Sequence, residues 1–247
     1  MVLLQRTLDG LLESGPYALM GLGLTLGFGL MRRVNLAHGA GAMLGAYLGS
    51  WLFVRLGWPV AGVLCMVVLA TVVTGLYVQW MCFHHTDRLA PNAQRAVTTV
   101  GGVDAFEVVA LVSSFAVWMQ LEQLCVNLLP RHLNPFPDFA AAHEWVVGGL
   151  SMRPDRVWMD LGVVLLVLTL SWAMRTRMGL ALRATADNAQ AAHVSGLPVR
   201  RLQRWGFAWA GALAGVAACA VLSLEGQVTP MFGMWVLMKG LTAAVIG

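Results

Sequence analysis

Seven stretches of the chain are apolar almost throughout. They run from Leu11 to Met31, Ala40 to Leu56, Pro59 to Met81, Phe106 to Leu129, Val157 to Met174 and Trp205 to Leu224, with a seventh from about Met234 to Gly247. A helix needs about 20 apolar residues to cross the hydrocarbon core of a bilayer. The pattern predicts an all-α fold: a polytopic transmembrane helical bundle of six to seven spans, forming one domain over residues 1–247. The opening MVLLQRTLDGLLESG is a poor signal peptide, because Asp9 and Glu13 interrupt its apolar part and no small-residue cleavage site follows. The first span is expected to act as its own insertion signal.

Composition agrees with this pattern. Of 247 residues 58% are hydrophobic and 11% charged, where a soluble domain carries about 25% charged residues. Arginines orient the spans, since they collect on the cytoplasmic side. Arg32, Arg33, Arg88, Arg95, Arg175, Arg177, Arg183, Arg200, Arg201 and Arg204 fall on one side; Arg6, Arg55, Arg131, Arg153 and Arg156 fall on the other. That bias puts the N-terminus outside and the long segment from Arg175 to Leu202 in the cytosol. Trp58, Trp80, Trp158, Trp172 and Trp205 stand near the expected span ends, where indole rings prefer the headgroup level. The net charge of +4 fits basic cytosolic loops, with no sign of a nucleic-acid partner. Cys65, Cys82, Cys125 and Cys219 lie in or beside apolar runs and read as small apolar filler without disulfides.

Several features could carry chemistry. The outer segment from Pro130 to Arg156 holds Pro130, Pro135, Pro137 and Pro154, which break regular structure, and Asp138, His143 and Glu144, which make it hydrophilic. It reads as a solvated connector, with contact to an outer partner as the alternative. Gly21, Thr25 and Gly29 lie four apart on one face of the first span, and Gly211 and Gly215 form a GxxxG in the sixth. Small residues at this spacing let helix backbones approach closely. His84 and His85 have only Asp87 nearby, which is a weak ligand set, and neither a metal nor a cofactor is expected. Glu122 and Gln123 lie late in the fourth span and Asp104 and Glu107 near its start. An acid within a span is a pathway candidate, but all four can sit at interfaces.

Asn35-Leu36-Ala37-His38-Gly39 breaks the apolar pattern between the first two spans. Polar groups there must face protein or water. Asn35 can cap the following helix, and His38 can donate to a carbonyl exposed at the break. The element is either a structural break with satisfied polar groups or a gate.

With Gly21-Leu22-Gly23-Leu24-Thr25-Leu26-Gly27-Phe28-Gly29 before it and Met43-Leu44-Gly45-Ala46-Tyr47 after it, this element resembles the N-terminal signature of bacterial branched-chain amino acid ABC transporter permeases. A second block is similar: Arg175-Thr176-Arg177-Met178-Gly179, then Arg183-Ala184, Asp187, Asn188, Ala191 and Gly196-Leu197, followed by Phe207, Gly211, Ala214 and Gly215. The resemblance implies a multi-pass subunit of the bacterial inner membrane, working with an ABC ATPase, a second permease (a copy of itself or a relative) and an extracytoplasmic substrate-binding protein. It makes Arg183, Ala184, Asp187, Asn188, Ala191 and Gly196 the ATPase-coupling loop. Asn35, His38, Gly39 and Thr99 become pathway or gate candidates. The residues agree with a coupling helix: Thr185 or Asp187 can cap it, alanines 186, 189, 191 and 192 keep it slim, and Gly196 can end it before Pro198.

Two departures accompany the match. Residues 82–102 keep only Thr98-Thr99-Val100-Gly101 of the family's pattern there. The run from Lys239 to Gly247 resembles one that the family follows with further membrane helices, so the chain reads as a C-terminally truncated member. The chain lacks the G-x-x-x-x-G-K-[ST] motif of an ATPase and every catalytic constellation sought, so it is not expected to be an enzyme. The alternatives are a related importer permease for urea, amides or sugars, an ion-gradient-driven carrier, and a non-transporting remnant that occupies an assembly interface.

Overall fold

The computed structural model describes residues 2–31, 35–83, 105–128, 134–137, 145–147, 150–152 and 154–246. Arg32, Arg33, His84, His85, Asp87, Arg88, Arg95, Thr98, Thr99, Asp104, Arg131, Asp138, His143, Glu144 and Arg153 lie outside the described residues.

Among the described residues the chain is a helical bundle with one small hairpin. Its elements are α1 (Val2–Met31), α2 (Ala37–Leu56), α3 (Val60–Val78), α4 (Ala105–Leu128), β1 (Trp145–Val147), β2 (Leu150–Met152), α5 (Pro154–Arg175), α6 (Arg177–Asp187), α7 (Ala189–Val194), α8 (Val199–Glu225) and α9 (Phe232–Ile246). A π-helical turn, Gln79–Phe83, prolongs α3. Four helices are both long and apolar enough to cross a membrane: Val60–Phe83, Val108–Leu128, Arg156–Arg175 and Val199–Glu225. The first two expected spans, α1 and α2, have 30 and 20 residues but owe part of their length to glycine, which adds little hydropathy. Most of α2 is buried against other helices, so there close packing replaces bulk. The last, α9, has 15 residues.

α8 stands at the centre, packed against α1, α2 and α3, and most of it is buried. The expected GxxxG lies at its closest approach to α3. A methyl group on Gly211 would come within 2.7 Å of the Thr71 carbonyl oxygen, and one on Gly215 within 2.8 Å of the Val68 Cα. Without glycine at these points the two backbones could not approach so closely, and lipid offers no hydrophobic drive to compensate. The hydroxyls in this seam satisfy themselves within their own helices: Thr71 donates to the Val68 carbonyl (2.8 Å) and Thr74 to that of Ala70 (2.7 Å).

The expected stripe on α1 needs correcting. Gly21 does pack on Ala243 of α9, but Thr25 and Gly29 are exposed and nothing stands within 4 Å of a methyl on Gly29. Gly23 and Gly27, about 160° round the helix, face Ala210 of α8 instead.

The outer connector is more regular than its prolines suggest. β1 and β2 pair antiparallel, Pro154 opens α5, and Pro135 bridges to Gln227. Pro is tolerated at the first position of a helix because the N–H it lacks would have no partner there. The Phe136 N–H donates to the Gly226 carbonyl (3.0 Å), and Ser50 donates to that of Pro135 (2.9 Å). These bonds tie the connector over the outer ends of α2 and α8. Beside them, Glu13 of α1 and Arg156 of α5 form an ion pair at 2.9 Å.

The main core joins Leu19, Met20, Met43, Val67, Leu213 and Leu222; a second cluster sets Phe83 against Phe207, ring centroids 5.4 Å apart. Cys125 and Cys219 fill the first and Cys82 the second, and the four cysteines form no disulfide. Trp58, Trp80, Trp158, Trp172 and Trp205 are all exposed near helix ends, as their expected interfacial role requires.

Candidate functional site

The break between α1 and α2 is built from inside the bundle. The Asn35 side-chain oxygen accepts from the Ala37 N–H at 3.1 Å, the capping role expected of it. Ser114 of α4 accepts from the Leu36 N–H at 3.3 Å and so fixes the break to a neighbouring span. His38 departs from expectation. Its Nε2 finds no carbonyl and has no hydrogen-bond partner among the described residues. The ring packs over Gly23 beside the Ala210 carbonyl oxygen, with Nε2 3.3 Å from where a methyl on Gly23 would stand. Gly23 precedes the end of α1 by about 12 Å of helix, and Ala210 follows the start of α8 by about 16 Å. The first turn of α2 therefore begins within the bundle and not at its cytosolic rim. Gly39, one residue on, lies against the Gly233 carbonyl, where the first turns of α2 and α9 cross. Thr99 lies outside the described residues. Glu122 accepts from the Trp118 indole N–H at 2.8 Å within α4.

The second group is the Arg-rich segment. A sharp corner joins α5 to α6. Thr176 caps α6 at the Gly179 N–H, and Arg183 reaches back to donate to the Met174 carbonyl at 2.6 Å. Gly179 lies against the Met174 backbone with no room for a side chain. Arg183 thus holds the corner, and Ala184, one residue on, is exposed. The segment beyond is two helices and not one. Neither Thr185 nor Asp187 caps the second of them: Thr185 is buried and donates to the Ala181 carbonyl (2.8 Å), while Asp187 ends α6. Asn188 caps α7, accepting from the Ala191 N–H at 2.9 Å. Extended backbone at Asn188 (φ −152°) lets its short side chain reach that N–H, and the helix restarts in a new direction. Gly196 ends α7 at φ +83°, the left-handed geometry expected of it. Ala191 and Val194 are exposed, and Ala192 alone in α7 turns inward. Asn188→Ala is expected to loosen α7 by about 1 kcal/mol; faster amide exchange confined to residues 189–196 would report it, and unchanged exchange would show that the cap is dispensable.

A glycine-laced bundle with helices long and apolar enough to cross a membrane, and one capped helical loop on its arginine-rich side, is the architecture of a membrane-embedded subunit. The chain belongs to the family described as branched-chain amino acid transport system / permease component, whose model matches residues 6–247. It is similar to the high-affinity branched-chain amino acid transport system permease protein LivH of Escherichia coli strain K12, 25% identical over 260 residues, covering 99% of this chain and 78% of that protein. The LivH protein of Salmonella typhimurium is 24% identical over 265 residues, with the same coverage. The corresponding protein BraD of Pseudomonas aeruginosa is 24% identical over 250 residues, again covering 99% and 78%.

Proposed function

We propose that this chain is the inner-membrane permease subunit of an ATP-driven importer for branched-chain amino acids, and that α6 and α7 transmit the ATPase's motion to the spans. The observation that carries this reading is the α6–α7 pair. It is short, capped at both ends and exposed, and it is joined to the bundle by the Arg183 corner on one side and by α8 on the other. A slim helix of this kind fits a groove on a soluble partner. Ala191 and Gly196 keep the inserted face narrow, while Ala184, Asp187 and Asn188 set its angle. A pull on α7 reaches α8 directly through Pro198 and α5 through the corner. The helices then move as bodies against one another, as alternating access requires. The break at Asn35, His38 and Gly39 lies where α1, α2, α8 and α9 meet, and in this reading it responds to that motion as a gate.

The partners follow from this reading: an ABC ATPase, a second permease copy or relative to complete the pathway, and a binding protein outside. The assignment is tested by ATP-driven leucine uptake into proteoliposomes holding all of these subunits. Ala191→Trp is expected to lower uptake and ATPase pull-down about tenfold, the equivalent of about 1.4 kcal/mol of overpacking in a filled groove, without changing membrane insertion. Unaltered pull-down would remove α7 from the ATPase interface. Absence of ATP-dependent leucine uptake by the wild-type assembly would overturn the function itself.

A further inference from the structure

Lys239 is the chain's one lysine and the sole charged residue of α9, where it stands midway along the helix. Its ammonium donates to the Tyr17 hydroxyl at 2.8 Å and lies 4.3 Å from the Tyr17 ring centroid and 5.9 Å from that of Trp235. An ammonium has three N–H donors, and this one makes no ion pair among the described residues. A lone cation in lipid is unfavourable, and such residues face a partner, a cavity or a route. Two aromatic faces hold it in place by cation–π attraction while leaving donors free.

What Lys239 faces is a shallow cleft shared with Glu225 and Thr229. Glu225 ends α8, at the end opposite the arginine-rich loop, so the cleft lies on the outer side. Val221 and Phe232 supply apolar wall to the same cleft. A cation, an apolar strip and an anion in one cleft match the three parts of a zwitterionic amino acid with a hydrocarbon side chain. The cleft is too small to enclose such a molecule, so the contact is with the substrate's charged ends and binding is weak, read at high leucine concentration.

We propose that Lys239 receives the α-carboxylate of the transported amino acid on its way in from the outer side, with Tyr17 and Trp235 holding the ammonium in position and Glu225 facing the substrate's own ammonium group. This rests on the import function proposed above and adds a substrate contact within the membrane subunit. The charge-assisted bond selects carboxylates over neutral solutes of the same shape.

The test uses the reconstituted importer with saturating binding protein. Lys239→Met keeps most of the length of the side chain and removes its charge. It is expected to lower leucine uptake at least about tenfold, the loss of one charge-assisted hydrogen bond, with assembly and basal ATP hydrolysis unchanged. Lys239→Arg is expected to retain much of the uptake, and Tyr17→Phe to stay within about twofold, because the cation remains. A direct readout accompanies these. Leucine should raise the melting temperature of the wild-type permease complex; 3-methylbutylamine, which lacks the carboxylate, should not; and neither should shift Lys239→Met. Wild-type uptake by Lys239→Met, or an equal leucine shift in it, overturns the proposal. Failure of Lys239→Met to assemble with the second permease also overturns it, by making the lysine an interface residue. If the wild type itself imports no leucine, it is the import function that falls; if it does and Lys239→Met does too, only the lysine's role falls.

Discussion

Gly39→Val is expected to destroy transport and lower the melting temperature of the detergent-solubilised protein by the largest margin of any single substitution considered. Gly39 sits against the Gly233 carbonyl, and a methyl placed there would also meet the Leu237 Cβ at 3.0 Å. The obstacle is backbone, which cannot rotate away as the tip of a side chain can. Both residues lie in the first turns of their helices, α2 and α9, so separating them displaces two helices at their starting points. Overpacking a filled interior costs about 1–3 kcal/mol when neighbours can shift, and here the yielding would have to come from a helix crossing. Gly29→Val supplies the comparison. Nothing stands within 4 Å of a methyl at Gly29, so the same chemical change on an exposed helix face is expected to stay within about 0.5 kcal/mol. Fluorescence-detected melting and leucine uptake of both variants decide the matter. Equal behaviour would mean that the α2–α9 crossing is looser than the structure draws it.

That contrast also separates what the sequence makes legible from what it does not. The spans could be read because lipid imposes one rule on every residue: about 20 apolar positions in a row. α4 runs Ala105–Leu128 against an expected Phe106–Leu129, and α2 ends at Leu56 as read. Helix starts were harder where polar residues found partners that composition does not reveal. α1 begins at Val2 and not Leu11; in the added turns Asp9 accepts from Gln5 one turn back, and Glu13 pairs with Arg156 from a span far along the chain. Glycine spacing marked close packing without naming the partner. Gly21, Thr25 and Gly29 share a face, yet which face of α1 meets α8 depends on where α8 lies, and Gly23 and Gly27 took that place.

The site was legible in the same uneven way. Asn35 as a cap and Gly196 as a left-handed terminator are local choices, decided within a few residues, and both stand as read. The corner at Arg183 joins residues nine apart, and Asn188 splits the loop because its short side chain caps well in extended backbone. Thr185 looked equally suited to the cap; burial of its side chain, a tertiary matter, excluded it. His38 was expected to bond at the break, but α2 starts so deep that the ring meets Gly23 and Ala210 instead. Lys239 could have been singled out by one signal in the sequence, a solitary cation in an apolar run; its aromatic partner Tyr17 is separated by 222 positions.

Val194→Asp is expected to uncouple ATP hydrolysis from uptake while leaving the fold intact. Val194 closes α7 with 86% of its surface exposed, the largest apolar exposure in the arginine-rich segment, and Leu180 of α6 is 56% exposed nearby in sequence. An apolar side chain so exposed on a soluble loop is ordinary when it stands alone. Here it stands on a capped helix that does nothing for the bundle core beyond the inward Ala192. A partner groove that buries Val194 would make it an anchor of the kind whose loss costs about 2 kcal/mol or more, roughly 30-fold in affinity. Aspartate adds the desolvation of a charge to that loss. The new carboxylate stands at the C-terminal end of α7, where the helix dipole disfavours it by about 0.3–1 kcal/mol, so α7 loosens slightly while insertion and the melting temperature of the bundle should hold. Ala189→Asp places the same charge on the same helix about 140° round it, in the first turn, where an acid suits the helix dipole. Pull-down of the ATPase should fail for Val194→Asp and survive for Ala189→Asp. If both variants bind, the groove does not hold the end of α7. If both fail, charge and not the apolar contact governs the interface, and Val194 is not its anchor.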